Sequence, residues 1–406
     1  MHPLRNRSFR ALAIGQAVNG IGSWCALIAI WGYATERFHA TPWQISVLGL
    51  TWTIPGALLG PMAGVPTDRW DPRRVLIVAD SLAAGCAIGM AFTNTYWGLV
   101  VWSSAQGFAK SFAMPAFGAL TPRVVSDEQL PVANAILNSA MQASIAFGPV
   151  LGAAAIELSG AKGAFLVDAF TYCIGVAVVI PLVLSPIAKS QVASPWSDAL
   201  EGIRVVRARP EVMRLFAGAV GVYALWGAGV TIEPLYVRDI LERSPATFAY
   251  LQTAFGVMMV LVGFVVARVG ERSTRIDVVA AGAIASGLCA ALYLATPLIG
   301  VAFLAIALWG VSTPWFTTPM RTLLQRATPA EAHGRVFALD ETLRSWAMAV
   351  ATGSAGFAYS EFGYRGAGVL YASLPVLGGL VILSGARRRK LRSTSSTDND
   401  VLADAL

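Results

Sequence analysis

The feature that most restricts this chain is an alternation that runs its whole length, apolar stretches separated by short charged gaps. A helix of about twenty apolar residues crosses a bilayer. The pattern is sharpest at Gly64-Val-Pro-Thr-Asp68-Arg69-Trp70-Asp71-Pro72-Arg73-Arg74, a charged run between two such stretches. A gap this short joins two antiparallel membrane helices. Its three arginines place it on the cytoplasmic side, where basic loops accumulate. Only 13% of the residues are charged and the mean hydropathy is +0.61. A soluble domain carries roughly 25% charge, so the deficit extends over the chain and is not the mark of one anchor on a soluble body. The reading is an all-α polytopic membrane protein.

Apolar runs bounded by charge and by Pro/Gly clusters predict twelve spans. In the first half they cover 11–34, 43–66, 75–93, 96–119, 134–158 and 163–185; in the second, 212–232, 247–267, 277–295, 298–320, 338–359 and 366–385. The expected organisation is a six-helix bundle over 1–185, a cytoplasmic linker over 186–210, a second six-helix bundle over 211–386, and a tail over 387–406. Of the 30 basic residues, 23 fall in gaps on one side and five on the other (Arg37, Lys162, Arg238, Arg243 and Arg365), with Lys110 and Arg344 inside spans. That bias puts both termini in the cytoplasm, which requires an even number of spans. Membrane topology therefore accounts for the net charge of +7, and nucleic acid binding is not needed to explain it.

The four cysteines, Cys25, Cys86, Cys173 and Cys289, lie in apolar stretches without metal-ligand spacing and read as small packing residues. Arg5, Arg7 and Arg10 precede an apolar run that imitates a signal peptide. The run is long, contains Gln16 and Asn19, and is followed by further spans, so it reads as a retained first helix. In the linker, Trp196, Leu200, Ile203 and Val206 share one face of an amphipathic helix, with Glu201, Arg204 and Arg207 opposite. The tail begins with Arg387-Arg388-Arg389-Lys390 and continues into a Ser/Thr/Asp run whose composition suggests disorder beside anionic headgroups.

An internal repeat ties the halves together. Gly148-Pro149-Val150-Leu151-Gly152 and Gly160-Ala161-Lys162-Gly163 resemble Gly353-Ser354-Ala355-Gly356 and Gly363-Tyr364-Arg365-Gly366, 203 to 204 residues later. The charged loop after span two matches Gly263-Phe264-Val265-Val266-Ala267-Arg268 only weakly, with Ala267 where an acid would be needed. Parallel repeats of six spans are a transporter architecture, with the substrate site between the halves near the midplane.

These residues resemble the major facilitator superfamily. Gly64, Asp68, Arg69, Arg73 and Arg74 look like its signature between spans two and three. The form Asp-Arg-Trp-Asp-Pro-Arg-Arg is similar to the branch of the enterobactin exporter and the macrolide-efflux proteins. So are Asn6-Arg7-Ser8-Phe9, Gly15-Gln16, Gly22, Pro122-Arg123, Ala133-Asn134-Ala135 and Gly334-Arg335-Val336. The resemblance implies the major facilitator fold, two pseudo-symmetric six-helix bundles, and a gating cluster that breaks as the halves rock. The residues themselves allow a charge-assisted latch around Asp68 or a simple topology anchor. Gly148, Pro149 and Gly152 look like the end of the family's antiporter motif, although Ala140, Ser144 and Ala146 replace its earlier glycines. Small-residue helix packing is the other reading.

Polar groups inside spans cost energy and usually face a cavity or a partner. Gln16, Asn19 and Ser23 share one face of span one, and Ser103, Gln106 and Lys110 share one face of span four. The family lines its cavity with spans one, four, seven and ten, so the resemblance adds Tyr223, Trp226, Glu233, Trp309, Ser312 and Trp315 as lining. Helix–helix hydrogen bonding and ordinary packing stand as the alternative for each. Lys110 sits ~21 Å from the far end of its span at 1.5 Å per residue, and either binds or couples there or snorkels toward the cytoplasm. Ser23 occupies the position where related exporters carry an acid. Asp80, Asp340 and Glu341 remain as coupling candidates, with Arg344 close enough to pair with the last two. Asp168, in Asp168-Ala169-Phe170-Thr171-Tyr172, is expected near the surface in a structural role.

The expected function is proton-coupled export of a small organic molecule such as a drug, macrolide or siderophore, by a monomer in a bacterial cell membrane. A metabolite importer of the same fold is the alternative. An enzyme is not expected: His2, His39 and His333 all lie in loops or termini, and no nucleotide-binding loop or catalytic constellation occurs. Nothing in the chain calls for a cofactor or a metal.

Overall fold

The computed structural model describes residues 3–59, 70–182, 184, 202–329 and 332–403, with side chains as far as 384. All the regular structure in them is helical. The first half comprises α1 (Arg7–Gly32), α2 (Pro42–Leu59), α3 (Pro72–Phe92), α4 (Tyr96–Val124) and α5 (Leu130–Val179). The second comprises α6 (Pro210–Asp239), α7 (Pro245–Val269), α8 (Ile276–Ala295), α9 (Ile299–Ser312), α10 (Pro314–Ala327) and α11 (His333–Ala403).

Local chemistry sets the helix starts. Asn6 caps α1 by accepting from the Ser8 and Phe9 amides, and Asp71 caps α3 ahead of Pro72 by accepting from Arg73. Thr95 caps α4 through the Gly98 amide at 3.1 Å. In α5 the chain turns at Gly160 (φ 67°, ψ 175°), and in α11 at Gly363 (φ 66°, ψ 176°). That region of backbone space is open essentially to glycine alone. Each of these helices is therefore two arms folded at a bend. Eight helical stretches are long and apolar enough to span a bilayer. Counting the bent ones as two arms, and adding α2 and α4, is consistent with twelve spans.

The repeat seen in the sequence is a repeat of backbone. The bends lie 203 residues apart, and so do the starts of α1 and α6, of α2 and α7, and of α4 and α9. Glycines that bring helices together repeat as well: Gly15 approaches Gly175 in the first half, and Gly218 abuts Gly378 in the second.

The starts of α1 and α3 lie at one end of the bundle, here the terminal end. There each half has its own apolar core. Phe9, Leu12, Leu76, Leu120 and Val179 build the first; Val212, Phe216, Phe316, Leu324 and Val336 build the second. At the far end a single core runs through both halves, from Ile28, Ile45 and Leu48 to Ile232, Tyr236 and Leu251. Polar contacts seal that end. The Ser46 hydroxyl meets Thr231 at 3.4 Å and accepts from the Gly356 amide at 2.9 Å, and Arg238 donates to the Ala40 carbonyl at 2.7 Å. Among the described residues, the halves thus share one core at the far end and keep two distinct cores at the terminal end.

Helix continues to Ala403 through the tail expected to be disordered. From Ala386 onward that segment has neither Gly nor Pro, and the Arg, Lys and Leu of its start at 387–392 are good helix formers, whereas the Ser/Thr/Asp/Asn run at 393–400 is not. Of the predicted linker helix, residues 202–207 are described; Val206 is buried while Arg204 and Arg207 are exposed. Trp196, Leu200 and Glu201 lie outside the described residues.

Candidate functional site

A cavity of about 160 Å³ lies inside the first half, on the terminal side of the shared core. Gln16, Asn19 and Ser23 of α1 line it together with Asp80 of α3, Lys110 of α4 and Tyr172 of α5. Lys110 decides its chemistry. Its Nζ donates to Ser23 Oγ at 3.2 Å and sits 4.8 Å from the ring centre of Trp52 and 5.6 Å from that of Tyr172. The side chain therefore crosses the interior of the half and does not snorkel to the terminal end. Two aromatic faces and a hydroxyl hold the ammonium there.

Two carboxyls share its field, Asp80 and Asp168. Asn19 Nδ2 approaches Asp80 Oδ2 at 3.5 Å. Asp168 is fully buried, and its Oδ2 accepts from Gln106 Nε2 at 2.9 Å. The expectation of a near-surface Asp168 is corrected. Position in a span indicates depth but not facing, and the arm after Gly160 turns this residue straight into the bundle. Asn19 Oδ1 and Asp168 Oδ1 are buried without a hydrogen-bond partner among the described residues. Buried polar atoms are normally paired, so the site has capacity left for a polar ligand group.

Ser103 and Gln106 do not line this cavity. Ser103 pairs with Thr51 at 2.6 Å, and Gln106 bridges Asp168 and the Ala83 carbonyl. The helical stripe they share with Lys110 is wide enough that its upper members face α2 and α3. Tyr172, Trp52 and Asp168 complete the cluster instead. The four-residue spacing of Asp168 and Tyr172, one helical face, was the available signal for two of them.

The second-half candidates also stand apart from the cavity. Tyr223 packs edge-on to Trp226, with the Arg344 guanidinium 5.8 Å from the Tyr223 ring. Trp309 is buried against Phe255 and Tyr293, and Ser312 bonds to Ser286 at 3.1 Å. Trp315 is half-buried where α10 crosses Gly282 of α8. Glu233 is buried among α7 and α8, held by Gln252 and Tyr293. Asp340 has a buried Oδ1 without a hydrogen-bond partner among the described residues, and Glu341 pairs with Arg344. Asp80 is the coupling candidate placed in the cavity.

Gly64, Asp68 and Arg69 of the loop lie outside the described residues. Of the remainder, Arg73 donates to the Leu182 carbonyl at 3.3 Å and Arg74 is exposed. Asp71 pairs with Arg123 of α4 at 3.5 Å. The second half has a comparable loop-to-helix pair, Glu271 with Arg326 at 2.9 Å, although the position 203 residues after Asp71 is Thr274. Arg326 lies 203 residues after Arg123, and the acid absent at Ala267 is supplied four residues later. Gly148 and Gly152 serve close packing: a Cβ on the first would meet Trp24, and one on the second would stand 3.0 Å from the Cys25 Cα.

Comparison with known proteins agrees with this architecture. The chain is 25% identical over 352 residues to macrolide efflux protein A of Streptococcus pyogenes, covering 84% of this chain and 87% of that protein. It is 25% identical to the lysophospholipid transporter LplT of Yersinia enterocolitica, covering 86% and 87%. Among solved structures, the fold matches a bacterial homologue of the human lysosomal transporter Spinster in an inward-facing, unoccupied conformation. The TM-score is 0.77 at 13% identity, over 95% of this chain and 98% of that one. The sequence profile of the Major Facilitator Superfamily matches residues 12–242 and 215–403. The chain is a multi-pass membrane transporter, not an enzyme, and it belongs to the Major Facilitator Superfamily.

Proposed function

We propose that this protein is a proton-coupled exporter of a small organic molecule, such as a drug, macrolide or siderophore, working by alternating access. The observation that carries the reading is the first-half cavity, where Lys110, Asp80, Asn19, Ser23 and Tyr172 meet beside apolar and aromatic walls. An amphipathic ligand suits such a lining, since apolar walls supply affinity and a few polar groups fix orientation. Likeness to the macrolide-efflux protein supports the outward direction. In this reading the protein works as a monomer in a bacterial cell membrane, with both termini in the cytoplasm. The domains are 1–185 and 211–386, joined by the linker at 186–210. The conformation described then opens to the cytoplasm and is sealed outside by the Ser46–Thr231 and Arg238–Ala40 contacts.

Gly64, Asp68, Arg69, Arg73 and Arg74 form the inner gate in this scheme. Asp68→Asn is expected to insert normally and to depress transport; normal transport in that variant reduces the loop to a topology anchor. The function itself is tested by efflux from loaded cells across a panel of a macrolide, a cationic dye and a siderophore, with and without an uncoupler. Uncoupler-sensitive efflux of a panel member is expected. Uptake in place of efflux would establish the importer reading. Indifference to the uncoupler would remove proton coupling.

A further inference from the structure

Glu233 plays no part in the Lys110 cavity, yet it is a buried acid inside a membrane helix. Its Oε2 lies 2.6 Å from Gln252 Nε2 of α7 and 3.4 Å from the Tyr293 hydroxyl of α8. Tyr236 stacks edge-on against Tyr293 at 5.2 Å, and Trp309 of α9 packs on the other side. The titratable groups facing it are Tyr236 on its own helix and Tyr293 on α8, with Tyr364 behind Tyr236. Gln252 and Trp309, from α7 and α9, do not titrate. Among the described residues no basic side chain pairs with Glu233. Arg238, the next cation along α6, is engaged by Asp239 and the Ala40 carbonyl.

The partners are of a particular kind. A primary amide donates from nitrogen and accepts at oxygen, and a phenol does both. Turning the Gln252 amide and the Tyr293 hydroxyl satisfies Glu233 as a carboxylate or as a carboxylic acid. The first-half acids are placed differently, because a lysine stands between two carboxyls and the protonation of each is tied to that charge and to the other acid. The Glu233 arrangement suits a group that exists in two protonation states inside a membrane. Glu233 lies two residues from Thr231 and five from Arg238, the α6 residues that seal the far end against Ser46 and Ala40, so the helix that carries it forms one side of that seam.

We propose that Glu233 is the coupling proton site, so that the second half carries the proton while the first half binds the substrate. The proton enters from the far side when the seam opens, resides on the Glu233 carboxyl, and leaves to water on the terminal side after the seam closes. This rests on the proton-coupled reading above, and the test separates the two.

Purified protein in lipid is titrated from alkaline to acid buffer by infrared difference spectroscopy, which needs no substrate. Glu233→Gln is expected to lose one protonated-carboxyl C=O band that Asp80→Asn retains. A spectrum unchanged in Glu233→Gln overturns the assignment. If that variant fails to fold, Tyr293→Phe must shift the frequency of the band, and an unmoved band overturns it equally. In proteoliposomes, Glu233→Gln is expected to reduce pH-driven transport of a labelled macrolide by about tenfold or more, with exchange counterflow kept within about twofold. Loss of both activities together, or of neither, removes the coupling role. A wild-type protein driven by a sodium gradient and not a proton gradient would overturn the choice of ion. Absence of macrolide transport in the wild type would overturn the substrate class, and the infrared band would still decide Glu233.

Discussion

Gly160 and Gly363 turn the chain with the same φ and ψ, yet the side chains placed around the two bends have little in common. Shifting by 203 residues lays each half on the other. Asn19, Ser23, Asp80, Gln106, Lys110, Asp168 and Tyr172 then fall on Val222, Trp226, Ala283, Trp309, Thr313, Tyr371 and Pro375. In the opposite direction Glu233, Gln252 and Tyr293 fall on Ile30, Gly49 and Met90. What repeats is what the backbone needs: the bends, the helix starts, the close glycine crossings and a comparable ion pair from loop to helix end. What does not repeat is the intramembrane polar chemistry. Such groups are expensive in hydrocarbon, and the set around Lys110 and the set around Glu233 each occur in one half without a counterpart at the equivalent place in the other. The comparison separates scaffold from site without any ligand in view.

The comparison breaks most sharply at Lys110. Lys110→Ala is expected to lower transport by about tenfold or more, since it leaves Asp80 and Asp168 without their shared cation. Thr313→Ala, at the equivalent position, should leave transport within about twofold. Initial efflux rates at matched expression test both, and equal losses would erase the asymmetry. The bends should behave alike. Gly160→Ala and Gly363→Ala are each expected to cost about 1–3 kcal/mol, the strain of forcing a side chain into that conformation. Thermal unfolding in detergent reads this, and a neutral result at either glycine would end the equivalence.

Smaller effects sharpen the picture. A Cβ at Gly15 finds its nearest neighbour at 3.6 Å, whereas one at Gly218 meets Ile382 at 2.4 Å. Gly218→Ala should therefore cost about 1 kcal/mol and Gly15→Ala close to nothing, again by thermal unfolding. Least of all, Arg123→Ala and Arg326→Ala remove partly exposed pairs and should each cost under about 1 kcal/mol. Similar small losses at both would support treating the two pairs as one repeated device.

Much of the frame was legible beforehand. The apolar runs and the tandem repeat express local requirements of length and backbone, and the helices fall on those runs at the repeat's offset, while the repeated glycines Gly160 and Gly363 prove to be bends. The polar cluster was legible in part. Asn19, Ser23 and Lys110 are out of place in apolar helices and so announce themselves. Ser103 and Gln106 announced themselves equally and proved to be buried in helix–helix bonds. Tyr172 and Trp52 carry no such signal, because aromatic residues are ordinary in spans. Asp168 was misjudged because nearness to a span end says nothing about facing.

Sequence alone determined that the chain is a helical membrane protein built as a tandem repeat, and which loops carry its basic residues. Those properties are sums over local segments, so the order of residues is sufficient for them. Only the tertiary structure decided that Lys110 meets Ser23, Trp52 and Tyr172, and that Glu233 belongs to a separate pocket with Gln252 and Tyr293. It alone decided that the seam closes at the far end. These contacts join residues far apart in the chain. Their geometry depends on how each helix is rotated about its axis, which close packing of all its neighbours sets together.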